Sequence, residues 1–245
     1  GKQEKAKPET KRIRVVVKRS EDRVDVFFHD RIFTSYRFDK SFEKPVLYPI
    51  HSASGLKVTR GYPLQPRPWE RVDHPHHMGL WLNHGNVNDL DFWNNSDSIP
   101  EARRMSYGTI FHEDIERTRN GDQEAILEIT AAWRRPDGRT LLDENTRFIF
   151  SGEDNYRIID RITTLTASKT HVLFRDSKEG MLAVRVAREL EQPSDEPVTV
   201  LNENLERVRI DPQKDNLPSG KYQNSEGQTG EIGRASCRER VCHRV

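Results

Sequence analysis

The sequence predicts an all-β protein built as an antiparallel β-sandwich, and three observations carry that expectation. Between Lys11 and Glu191, short β-branched and aromatic runs alternate with turn signals. Helical periodicity is nearly absent over the same span. Where a run is long enough to test, Leu127, Ile129, Ala131 and Trp133 interleave with Ile126, Glu128, Thr130 and Ala132, giving one apolar and one mostly polar face. Two stacked sheets follow from that alternation.

Taken in order, RIRVVVK (12–18), RVDVFFH (23–29) and RIFTSYRF (31–38) are strands, joined by turns at Ser20 to Asp22 and at Asp30. Pro45 to His51 and Leu56 to Thr59 follow, broken by Gly55, and then Gly79 to Asn83. GTIFHEDIERT (108–118) turns through Asn120-Gly121 into AILEITAAW (125–133), which turns through Pro136-Asp137-Gly138 into RTLLDENTRFIF (139–150). A turn over Gly152 to Asn155 leads to YRIIDRITTLT (156–166), THVLFRD (170–176) and GMLAVRVAREL (180–190). The last run also suits a helix, through its alanines and Leu182, Arg185 and Glu189. After Gln192 only Val198 to Leu201 reads as a strand, and no internal repeat is present.

Forty Lys plus Arg stand against 39 Asp plus Glu, so no net field argues for nucleic acid as a partner. A mean hydropathy of -0.87 leaves no run of roughly 18 apolar residues, and no integral membrane segment is expected. Residues 1–11 read as a disordered leader, 12–230 as a single sandwich domain and 231–245 as a tail that resembles a translated cloning string. Cys237, Cys242 and His243 lie inside that tail, so a disulfide or metal reading of them is set aside.

Gly61 to Tyr107 has little strand patterning, yet Trp69, Trp81, Phe92 and Trp93 argue against disorder there. Within it, Asp73-His74-Pro75-His76-His77 and Asn83-His84-Gly85-Asn86 gather four of the nine histidines. Pro75 is expected to keep His74 extended, which would project His74 and His76 to one side and His77 to the other. Gly79 and Gly85 suit close backbone approach or positive φ. Paired imidazoles divide into donor and acceptor near neutral pH and suit acid-base work on a hydroxyl or carbonyl. Two readings compete with this one. The histidines are turn residues over a Trp81 and Trp93 core, or three imidazoles and a carboxylate fill a zinc-like divalent shell, although the spacing matches no HExxH-type motif.

Arg60, just before Gly61-Tyr62-Pro63, would fork onto a carboxylate or sugar hydroxyls, the alternative being an ordinary surface arginine. Asp176 and Glu179 stand at a strand end beside Lys178, a solvated turn residue, and Glu179 ahead of Gly180 would serve as a base. Trp69, Trp81 and Trp93 are core residues or offer faces to sugar rings. No GxGxxG, Walker-type or GxSxG motif is present, so nucleotide hydrolysis and triad chemistry are not expected.

TRGYP (59–63), DHPHHMGLWLNHGNVNDLDFW (73–93) and DSKEGMLAVRVA (176–187) together resemble a bacterial family of unknown function labelled "methane oxygenase PmoA", over about residues 25–225. That label implies a membrane-bound copper subunit, which a chain without a transmembrane run does not support. The resemblance implies a galactose-mutarotase-like supersandwich with a sugar pocket on the concave face of one sheet. It also implies closing strands beyond the point, near Gly230, where this chain reads as broken off. Export to the periplasm or the exterior is implied too, with a cytoplasmic location left open.

The resulting expectation is a carbohydrate-active enzyme of mutarotase, lyase or hydrolase type. His74, His76, His77, His84 and Glu179 would carry protons, and Arg60, Asp73, Trp81, Asn86, Trp93 and Asp176 would bind substrate. A carbohydrate is the expected partner, and no cofactor is expected unless the histidines hold a divalent metal. The alternative is a non-catalytic glycan-binding sandwich with the tryptophans stacked on sugars, followed by a β module with no ligand.

Overall fold

The computed structural model describes residues 12–191 and 196–211. The expected leader, the expected tail with its two cysteines, and the region around Gly230 lie outside the described residues. The fold is all-β and antiparallel. The described residues form two compact units, 12–59 with 74–185, and 60–73 with 186–191 and 196–211.

The first unit holds two sheets. One is ordered β1 (Ile13–Lys18), β2 (Arg23–Phe28), β3 (Arg31–Arg37), β4 (Val46–Ile50), β5 (Leu80–His84) and β10 (Gly180–Val184). The other is a meander of β6 (Thr109–Arg119), β7 (Glu124–Arg134), β8 (Thr140–Gly152) and β9 (Arg157–Ala167). Period-2 patterning turns one face of each sheet inward, so Val24, Val26 and Phe33 meet Leu127, Ile129, Phe148 and Phe150 in one core. Phe33 lies edge-on to Phe150 at 6.2 Å, and Tyr36 lies 5.7 Å from Phe148. This is the expected sandwich-like arrangement.

Three expected strands differ. Leu56 to Thr59 makes only an isolated bridge, His51 to Lys57, because the chain folds back tightly at Gly55, whose φ of +89° is left-handed. Thr170 to Asp176 runs beside the Val87–Leu90 hairpin and not in a sheet, with one bridge from Val87 to Phe174. That hairpin closes on Asn88 and Asp89 at φ +50° and +64°, the left-handed pair a two-residue turn needs. Of the run 180–190, the strand ends at Val184, and Arg188–Leu190 is a 3-10 turn.

The second unit is built on the hairpin of β11 (Val198–Leu201) and β12 (Arg207–Ile210), the latter not expected from the sequence. The loop 60–73 runs along β11, with Trp69 N donating to Leu201 O and Val72 N to Thr199 O. Buried Glu70 organises that loop, accepting the backbone N–H groups of Gly61, Tyr62 and Arg67 and the Arg67 guanidinium.

Candidate functional site

The site in the first unit is built around β5. Gly79 enters it at φ +56°, where a Cβ would strike the Leu47 carbonyl oxygen, so only glycine lets β5 lie this close to β4. Along β5 the side chains alternate. Leu80 and Leu82 pack onto the core, and His84 on the same face meets Phe174 edge-on at 5.3 Å. Trp81 and Asn83, both fully buried, take the opposite face.

On the Trp81 face stands the imidazole cluster. His74 is not extended as expected but sits at φ +44°, and His77 N donates to His74 O at 2.9 Å to close a turn over Pro75-His76. Proline's fixed φ suits the second position of such a turn, which outweighs its extending effect on the residue before it. The three rings therefore come together: His74 stacks on His77 at 4.8 Å, and His76 lies 4.4 Å from His77 and 5.6 Å from His74. His77 also stacks on Trp81 at 5.1 Å, and Trp81 lies 5.4 Å from Trp93. His74 is exposed, His77 half-buried and His76 buried.

Asp91 places Trp93, its Oδ1 accepting the backbone N–H groups of Trp93 and Asn94 while Oδ2 accepts the Asn94 side chain. Trp81 and Trp93 are 1% and 7% exposed, so their ring faces are packed by protein and do not form the open sugar platforms expected of them.

Lys44, absent from the sequence-based set, completes this floor. It is 1% exposed, donates from Nζ to the His76 carbonyl at 2.8 Å and lies 5.6 Å from the Trp81 ring. Burial lowers its pKa to about 7, against the opposing pull of Glu43 and Asp91. Three neighbouring polar atoms are buried without a hydrogen-bond partner among the described residues: Nε1 of Trp81, Nε1 of Trp93 and Oδ1 of Asn83. Each stranded group of this kind costs about 1–3 kcal/mol.

His84 and Glu179 form a separate patch, because His84 points from the other face of β5. His84 Nδ1 lies 3.0 Å from Asn86 N and 3.2 Å from Asn86 O, so the Asn86 backbone holds the ring in place. Burial lowers the His84 pKa, opposed by the Asn86 carbonyl, Asp176 and Asp91. The antiparallel pairing of β10 with β5 sets Gly180 opposite His84, and Gly85 N donates to Glu179 O at 2.9 Å. A Cβ on Gly85 would meet Ser177 Oγ and the Glu179 side chain, so glycine permits this approach. Asn86 serves the turn, with its Oδ1 accepting from Asp89 N, and Asp176 is exposed. Lys178 is exposed as expected and reaches Glu179 at 3.4 Å.

Arg60 and Asp73 belong to the second unit. Arg60 is not a surface arginine: it is 1% exposed, and its Nη1 donates to Asp73 Oδ1 at 2.5 Å and to Arg71 O at 3.1 Å. Its carboxylate partner is thus a residue of the protein, Asp73, met through Nη1. Among the described residues no three His, Cys, Asp or Glu side chains are grouped to hold a metal ion. No helix among them is long and apolar enough to cross a membrane.

A family model described as a family of unknown function, DUF6807, matches residues 23–240. The chain belongs to the DUF6807 family. The match to DUF6807 runs on through residues 231–240, the first part of the stretch that reads as foreign. No curated protein and no solved structure matches the chain. The DUF6807 description names no activity, so the methane-oxygenase label and the mutarotase likeness lie outside what the match establishes.

Of the residues that matter in the imidazole cluster, Lys44, Asn83 and Asp91 escape sequence reasoning. Asn83 had a usable signal, since it lies two residues beyond Trp81 on one strand and must share its face. Lys44 had none, because nothing near Phe42-Glu43-Lys44-Pro45 distinguishes a buried amine from a solvated one.

Proposed function

We propose that this DUF6807 member is an enzyme acting on a sugar or sugar-derived carbonyl by acid-base chemistry at His74, His76 and His77. The observation that carries this reading is the packing of three imidazoles, 4.4–5.6 Å apart, onto Trp81 beside the buried amine of Lys44. Stacking on Trp81 fixes the His77 ring, and exposed His74 is the imidazole best presented to a substrate.

In a ring-opening step, one imidazole takes the proton of the anomeric hydroxyl while another protonates the ring oxygen. The C–O bond of the ring breaks and an aldehyde forms, with protons and electrons conserved. Lyase or hydrolase chemistry uses the same pair. A mutarotase-like architecture, a carbohydrate partner, action without a cofactor and export from the cytoplasm complete the reading. His84, Glu179 and Asp176 are better suited to shaping the β5–β10 strand end than to joining this set, since His84 leaves β5 on the other face.

The glycan-binding alternative is less well supported, because Trp81 and Trp93 have no open face. The test is turnover across a panel of mono- and disaccharides and sugar acids with His74→Ala and His77→Ala. A loss of about 10²-fold or more in kcat/KM is expected from each. Unchanged turnover of every responding sugar in both variants overturns the reading.

A further inference from the structure

Trp81 and Trp93 each carry one indole N–H, a group that only donates and never ionises at accessible pH. Among the described residues both are buried without an acceptor, in rings 5.4 Å apart, while Asn83 on the same face of β5 as Trp81 has a buried carbonyl oxygen without a donor. Buried polar groups are nearly always answered, so two adjacent donors and one acceptor left open in one cluster call for a group that supplies the complement. The Lys44 amine lies 5.6 Å from the centre of the Trp81 ring. The nearby carboxylates are occupied: Asp91 by Trp93 and Asn94, and Glu43 Oε2 by Thr109 at 3.2 Å.

We infer that the ligand of this cluster is a sugar acid, its carboxylate accepting from the Trp81 and Trp93 indoles and a neighbouring hydroxyl donating to Asn83 Oδ1. The inference rests on the imidazole cluster being the ligand site and narrows its substrate class. A carboxylate offers two oxygens to two donors and carries the charge that Lys44 favours. The adjacent hydroxyl of a uronate or aldonate supplies the donor that a bare carboxylate lacks.

The test is proton–nitrogen correlation spectroscopy of the full chain, whose four tryptophans give four indole signals. Trp81→Phe and Trp93→Phe assign them. Titration with D-glucuronate, D-galacturonate and D-gluconate is expected to move the Trp81 and Trp93 signals saturably, with Trp69 and Trp133 still. D-Glucose and acetate are expected to bind at least tenfold more weakly, and Trp93→Phe to weaken the best sugar acid at least tenfold.

Equal response to D-glucose overturns the carboxylate assignment and leaves the acid-base reading standing. Equal response to acetate overturns the sugar part. Indole signals unmoved by any sugar acid overturn the inference, while the histidine variants separately decide whether sugar chemistry occurs. The wild-type titration still decides if either phenylalanine variant fails to fold, since two moving and two still signals are countable without assignment.

Discussion

Trp133 and the Trp81–Trp93 pair are buried to similar depth, and they differ in what answers the indole. Trp133 Nε1 donates to Glu144 Oε2 at 2.8 Å. The other Glu144 oxygen accepts from Thr146 and from Arg161, both at 2.6 Å, and Arg161 Nε donates on to Thr163. That network is built by the sandwich itself, the Trp133, Thr146 and Arg161 donors being met by residues of β8 and β9. Around Trp81 and Trp93 the same kind of donor is left open, although Lys44 and Asp91 hold the surrounding backbone with comparable care. A completed buried network belongs to the fold, whereas the incomplete one beside the imidazole cluster is what the proposed ligand would answer.

The comparison breaks most sharply at Glu144. Glu144→Leu strands the Arg161 guanidinium and the Trp133 donor, and urea denaturation is expected to lose about 3–5 kcal/mol. A loss below about 1 kcal/mol means that the network is not closed as described.

Lys44 gives the next largest effect. Its folded pKa of about 7 lies below its ordinary value of 10.5, so the unfolded chain binds the proton more readily across that window. Stability therefore falls as pH drops from about 10.5 to 7, by up to about 5 kcal/mol. Lys44→Met should flatten that slope in denaturation curves taken at several pH values.

Trp133→Phe and Trp81→Phe both remove ring volume, yet only the first removes a hydrogen bond to a carboxylate. The first should cost about 1.5–3 kcal/mol more than the second, read from paired unfolding curves. Equal costs mean that the Trp81 N–H is satisfied in solution, which removes the contrast.

The smallest effect is at His112, near the closed network. Its Nδ1 lies 3.2 Å from the Tyr36 hydroxyl, whose pKa burial raises, and burial lowers the His112 pKa to about 4. The unfolded chain takes this proton at about 6.5, so stability is lost as pH falls from about 6.5 to 4. Because the His112 ring is only partly buried, solvent screening cuts the full effect of that gap to about 1 kcal/mol, or about 2–4 °C in melting temperature. His112→Phe should remove the dependence in that window.

Most strands were legible because their signals are local. The alternation of 125–133, the Pro136-Asp137-Gly138 turn and the β-branched run 12–18 need no distant partner to be read. The strands expected at Leu56 to Thr59 and Thr170 to Asp176 carry the same local signal and fail, since a run becomes a strand only if a neighbouring edge is free to pair with it. The histidine cluster was legible as a concentration of residue types, and its geometry was not. Pro75 constrains its neighbours in two opposing ways, and the turn prevails only where the rest of the chain closes it.

What the chain carries in its local pattern is an antiparallel sandwich and a histidine-rich segment without a GxGxxG, Walker-type or GxSxG motif, because period-2 alternation, turn chemistry and motif spacing act within a few residues. What tertiary structure alone decided is which face of β5 each histidine takes, the burial of Lys44 against a carbonyl 32 positions away, and which tryptophan finds an acceptor. Those depend on strand pairing and on the loss of solvent around particular atoms. Both arise only when segments far apart in sequence exclude water together.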